Sequence, residues 1–113
     1  MERLKKRREF LAAAKGVKRQ RRAFVLETLR RGDDGPPRFG FTVTKRTAKQ
    51  AVERNRIRRR LKEAVRLEEH RAPRGHDHVL VGRRATLDMA FELIRREVAE
   101  ALAKAGAAAR SPQ

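Results

Sequence analysis

Apolar and polar positions change period several times along this chain, and each change marks an element. Residues 3–15 are strong helix formers, with Leu4, Phe10, Leu11 and Ala14 as the apolar members and Gly16 where a helix-ending glycine belongs. The spacing is regular only from about Arg8, so residues 1–8 are expected to form a flexible basic arm. Residues 23–29, AFVLETL, alternate as a strand does, with Phe24 and Leu26 on one face and Val25 and Glu27 on the other. The following RRGDDGPP places Asp, Gly and Pro where a hairpin connection wants them. Residues 38–44 alternate most cleanly: Phe39, Phe41 and Val43 point one way, Gly40, Thr42 and Thr44 the other. From residue 48 to 69 the period is helical. At about 100° per residue Ile57, Leu61, Ala64 and Val65 gather into one stripe, and Arg56, Arg59, Arg60, Lys62 and Arg66 take the broad opposite side. RAPRGHD reads as a loop and residues 78–82 as a short apolar strand. Thr86 offers an N-cap to a long helix on which Leu87, Phe91, Ile94, Val98, Ala101 and Leu102 recur every three to four residues. The alanine-rich residues 106–113 read as a flexible tail. The order α-β-β-α-β-α, with a further short strand allowed for, predicts an α+β fold (an α/β sandwich), a small mixed sheet with packed helices in one domain over residues 1–113. Phe39, Phe41, Phe91 and Ile94 are its expected core.

Composition narrows the function. The absence of cysteine excludes a disulfide framework, a thiolate zinc site and a cysteine nucleophile. No apolar run is long enough to span a bilayer and the charged N-terminus lacks the apolar stretch of a secretory signal, so the expectation is a cytoplasmic protein with no membrane partner. The formal charge of +17, with 23 arginines among the 31 basic residues, asks for a polyanion. Arginine suits phosphate because its planar fork donates two parallel hydrogen bonds.

The cations concentrate in TKRTAKQAVERNRIRRRLKE, residues 44–63. Here Lys45 and Arg46 end a strand, and a helix then carries Arg54, Arg56, Arg58, Arg59, Arg60 and Lys62. A merely solvated helix face mixes Glu with Lys to gain i,i+4 pairs; this one has only Glu53 and Glu63 to offer. The remaining charges need water or phosphates. Asn55, unfavourable within a helix unless its amide finds a partner, is a further candidate for RNA contact.

VERNRIRRRLKE resembles the RNR signature of the bacterial ribonuclease P protein family, and the likeness extends to both sides. RLKKRREF resembles the family's opening block, residues 38–66 its central block of glycine-containing strand, basic pair and RNR helix, and DHVLVGRR the strand after it. The resemblance implies a non-catalytic subunit of an endoribonuclease. Its partners would be ribonuclease P RNA and the 5′ leader of precursor tRNA, with Mg²⁺ held mainly by the RNA and no obligate protein partner. Carried over by position, Arg54, Asn55, Arg56, Arg58, Arg59, Arg60 and Lys62 would face RNA, while Phe10, Val25, Thr42, Thr44, Lys45 and Arg46 would line or border a leader cleft between sheet and helix. Two departures stand out: Ala14 and Glu27 occupy positions where the family often has aromatics. With no Tyr or Trp in the chain, charge and shape are expected to hold a leader more than stacking does.

Other readings compete. A structural rRNA-binding ribosomal protein has the same composition and is the principal alternative. A DNA-binding helix protein would need a helix-turn-helix turn or a dimer seam, and neither shows. A stand-alone nuclease would need clustered acidic metal ligands. His70, His76 and His78, beside Asp77, lack the spacing that sets ligand geometry. No nucleophile–base constellation is visible, so no catalytic residue and no protein-held metal are expected.

Overall fold

The computed structural model describes residues 1–110. In chain order its elements are β1 (Glu2–Arg3), α1 (Arg7–Ala13), β2 (Val17–Gln20), β3 (Phe24–Arg30), β4 (Arg38–Thr42), α2 (Ala51–Glu68), β5 (His76–Gly82) and α3 (Phe91–Arg110). Short 3₁₀ turns follow α2 at Glu69–Arg71 and β5 at Arg84–Leu87.

The strands form one mixed sheet in the order β1-β4-β5-β3-β2. Val79, Leu80 and Val81 make β5 apolar on both faces, which suits it to the centre, where it pairs antiparallel with β3 and parallel with β4. The hairpin expected between residues 23–29 and 38–44 is therefore absent, because β5 lies between those two strands. Turn residues specify that the chain bends; they do not specify which strand fills the edge it leaves. Arg31 organises this connection instead, donating to the carboxylates of Asp33 and Asp77 and to the carbonyls of His76 and Pro36.

One face of the sheet carries Phe24, Leu26, Phe39, Phe41 and Leu80 beneath Ile57, Leu61, Ala64 and Val65 of α2 and Ile94, Val98, Ala101 and Leu102 of α3. The apolar stripe read from the sequence of α2 is thus its buried face; Phe91, at the edge, is only partly buried. Gly82 sits under α2, where a Cβ would come within 2.6 Å of Ile57 Cγ2, so this glycine lets the arginine-rich helix settle on the sheet. Glu68 ties α2 to α3, accepting from Arg71 and Arg95 at 3.3 Å each. Burial pushes its carboxyl pKa up, but the two guanidinium hydrogen bonds outweigh that and hold it below the usual value. Among the described residues the other face is covered by Leu4 and the short α1, where Leu4, Phe10 and Ala13 pack on Leu29, Val79 and Val81.

Several termini differ from their sequence patterns. Residues 2–3 are an edge strand beside β4, Leu4 N donates to the Phe39 carbonyl at 2.9 Å, and the Leu4 side chain is 5% exposed. A single well-placed leucine thus docks the expected arm. Thr86 does not cap α3. Its buried hydroxyl donates to the Ala23 carbonyl at 2.7 Å, and the helix begins five residues later. Residues 106–110 continue α3 rather than forming a tail, with Ala105 and Gly106 buried; residues 111–113 lie outside the described residues. Among the described residues no helix is long and apolar enough to cross a membrane.

Candidate nucleic-acid interface

Strand register lines up one row of side chains on the α1 face. Thr42 of β4, Val81 of β5, Val25 of β3 and Gln20 of β2 are successive partners across the sheet. The next row, Gly40, Val79, Glu27 and Lys18, lies nearer α1. Phe10 packs on Gly40, where an added Cβ would meet its ring at 2.5 Å. The first row stays half-open beside Phe10, so a groove runs along the sheet with one aromatic wall. Phe10 serves both the fold and the groove, since it anchors α1 and leaves part of its ring exposed.

Ion pairs set the height of α1 over this groove. Glu9 accepts from the backbone N–H groups of Lys5 and Lys6 at 3.0 and 2.8 Å, capping the helix, and from Arg38 at 2.9 Å. Arg38 in turn grips Asp77 with two bonds of 2.8 Å, and Arg31 adds a third at 2.8 Å. Burial raises the Asp77 pKa, but the hydrogen bonds from Arg38 and Arg31 outweigh it and hold the carboxyl below its usual value. Glu9 is held down chiefly by its two backbone donors.

Glu27 does not project its charge into the groove. It is 8% exposed and accepts from Lys18 at 2.7 Å. That partner comes from β2, the strand whose pairing no sequence pattern specified. Ala14 ends α1 as its C-cap, partly buried, and adds no stacking surface.

Because β4 and β5 end where β3 begins, one end of the sheet collects cations from three connections: Lys45, Arg46 and Lys49 after β4, Arg83 and Arg84 after β5, and Arg21 and Arg22 before β3. The last four arginines are functional candidates that the reading of the sequence did not single out; the paired doublets at strand ends were the available signal. Thr44 is exposed at this end, but its hydroxyl is engaged by the Thr47 N–H and hydroxyl in the turn that carries Lys45 and Arg46.

The arginines of α2 divide into two kinds. Arg56 and Arg59 are exposed and Lys62 is half-exposed, and none of the three has a side-chain partner among the described residues. Arg58 donates to the Asn55 amide oxygen at 2.9 Å, so Asn55 orients a neighbouring guanidinium. Arg54 instead folds back to the carbonyls of Ala48 and Lys49 at 2.8 and 2.7 Å, fixing the basic turn before the helix. Arg60 does not lie on the outer side. It reaches across to the carbonyls of Thr86 and Met89 at 2.6 and 2.8 Å, clamping the 3₁₀ turn after β5. The helical period put Arg60 on the outer side with Arg56 and Arg59, and the resemblance put Arg54 among the RNA-facing residues, because neither shows which backbone carbonyls the fold leaves without donors. His78 is buried against Phe39, with ring centroids 5.4 Å apart, and stacks at 6.2 Å on His76, whose Nδ1 contacts the Arg74 carbonyl.

The chain resembles known proteins in both sequence and fold. The family model described as Ribonuclease P matches residues 1–106. The chain is 48% identical over 106 residues to the ribonuclease P protein component of Gluconacetobacter diazotrophicus, covering 92% of this chain and 90% of that one. Identity to the corresponding protein of Symbiobacterium thermophilum is 41% over 105 residues, with the same coverages. Among solved structures the chain is similar to the RNase P protein of Thermotoga maritima, with a TM-score of 0.77 and 28% identity over 92% of this chain and 97% of that one. It is also similar to that of Staphylococcus aureus, with a TM-score of 0.74 and 27% identity over 92% and 94% of the two chains.

Proposed function

The chain belongs to the ribonuclease P protein family, and from that premise we propose how it serves the enzyme. The outer side of α2, through Arg56, Arg58, Arg59 and Lys62, binds the RNA subunit. The groove beside α1 holds the 5′ leader of precursor tRNA. In this reading Mg²⁺ held mainly by the RNA supplies the hydrolytic chemistry, and the protein's part is to bind, orient and neutralise phosphate charge in the bacterial cytoplasm.

The observation that carries the reading is the row Thr42, Val81, Val25 and Gln20, open beside Phe10 and leading to cations at the sheet end. A single strand needs a face for its bases and cations for its backbone, and this groove offers both. The acidic groups nearest the groove support it too, because Glu27, Glu9 and Asp77 are each paired with Lys or Arg and repel no phosphate.

The test is precursor-tRNA cleavage at low Mg²⁺ by a bacterial ribonuclease P RNA, with and without this protein, beside a protein-only control. Restored cleavage at the correct 5′ position, with none by the protein alone, is the expected result. RNA binding without any effect on cleavage would overturn the proposal.

A further inference from the structure

A second concave feature lies on the far side of α2's first turns. Val52, Glu53 and Arg56 form one wall of a notch of about 280 Å³, and Arg84, Leu87 and Asp88 form the other. Val52 is 70% exposed, the most exposed large hydrophobic side chain among the described residues, and it stands on the helix with the free cations. A valine so placed gains nothing from water.

The notch is built rather than incidental. Arg84 crosses it to Glu53 at 3.0 Å, which joins the two walls and occupies that carboxylate. Arg60 holds the second wall from behind through the carbonyls of Thr86 and Met89. Two charged groups are left over: Arg56 and Asp88 have no side-chain partner among the described residues.

We propose that this notch receives one unpaired nucleobase of the bound RNA, an inference that rests on the RNA-binding reading above. Val52 and Leu87 contact the faces of the base. Arg56 meets its phosphate. Asp88, a pure acceptor, selects a base whose edge donates hydrogen bonds, and guanine, donating from N1 and N2, satisfies both carboxylate oxygens. Duplex RNA cannot offer such an edge, so the notch reads a splayed nucleotide rather than a helix.

Because the chain has no cysteine, single introduced thiols report position without background. Val52→Cys and, separately, Lys62→Cys are labelled with a short photo-crosslinker and bound to a bacterial ribonuclease P RNA. The expected result is that the residue-52 probe marks one or two unpaired nucleotides, while the residue-62 probe marks the RNA more broadly. In the unlabelled protein, Val52→Ala with Leu87→Ala weakens RNA binding about five- to thirty-fold with its salt slope unchanged. Cross-links from residue 62 with none from residue 52, or with residue-52 cross-links spread over paired nucleotides, would overturn the notch alone. Absence of cross-links from both probes would overturn the RNA-binding surface on α2 as well.

Discussion

Arg60 offers the sharpest separation between a residue that holds the fold and one that holds RNA. Its guanidinium donates to the carbonyls of Thr86 and Met89 at 2.6 and 2.8 Å, with a longer contact of 3.4 Å to Leu87. An Arg60→Gln substitution loses both short bonds, because the glutamine amide stops short of the turn. A charge-assisted hydrogen bond is worth about 1.5–3 kcal/mol when buried. Arg60 is half-exposed, and water can replace part of what is lost, so about 2–3 kcal/mol in total is a fair expectation. For a chain of this size that corresponds to a fall in Tm of the order of 10 °C. The assay pairs a thermal melt with RNA affinity measured across a salt series. Arg60→Gln should lower Tm while leaving the slope of log affinity against log salt almost unchanged for the folded protein. Arg59→Gln should do the reverse, sparing Tm and reducing the slope by roughly 0.7–0.9, one phosphate contact. An Arg60→Gln protein with wild-type Tm and a reduced slope would show that the guanidinium leaves its carbonyls for phosphate, and the structural assignment would fail.

Three further expectations follow from the same contacts. Gly40→Ala drives a Cβ into the Phe10 ring and should cost about 1–3 kcal/mol while weakening leader-bearing precursor more than leaderless tRNA; equal losses for both would remove Phe10 from the groove. Glu27→Gln releases Lys18 toward the groove and should tighten leader binding, raising the salt slope by about 0.7, whereas an unchanged slope would mean that Lys18 never meets phosphate. His78 is buried with its pKa lowered to about 3, first by burial and then by His76, so the unfolded chain binds a proton that the native one refuses. Stability should therefore fall from about pH 6.5 downward at about 1.4 kcal/mol per pH unit, above the range in which the carboxyls of Asp77 and Glu68, whose folded pKa values are lowered, take up protons. Urea unfolding at pH 7 and pH 5 measures this, and His78→Leu should be weaker at neutral pH yet lose the slope.

What the sequence made legible was periodic or charged. The alternation around Phe39 and Phe41 and the stripe of Ile57, Leu61, Ala64 and Val65 specify faces directly, since one face of each is buried. Val81 was legible only as part of a short apolar strand, since Val79, Leu80 and Val81 show no alternation, and its place in the groove follows from its register with Val25 and Thr42. The insertion of β5 between β3 and β4 was not legible, because pairing between residues 39 to 58 positions apart leaves no local trace. Nor was β2: Val17 and Arg19 alternate with Lys18 and Gln20 at an exposed edge, where little apolar contrast marks a strand. The ion pair that keeps Glu27 out of the groove was hidden for the same reason, its partner Lys18 lying on that unplaced edge strand.

The same division shows where a chain of charge +17 places part of its arginine content inside the fold. Arginines that point into the structure are consumed by acceptors that would otherwise go unmet. Arg31 and Arg38 satisfy Asp77, Arg71 and Arg95 satisfy Glu68, Arg54 and Arg60 satisfy backbone carbonyls, and Arg84 satisfies Glu53. Several of these contacts hold elements that carry unpaired cations at their outer ends: α1 over the groove, the turn bearing Lys45 and Arg46, and α2 with Arg56 and Arg59. The internal arginines thus set the spacing of the external ones. A substitution among them should first disturb where phosphates are held, and only then how many, which is why the salt slope and the melting temperature, read together, discriminate between the two groups better than affinity alone.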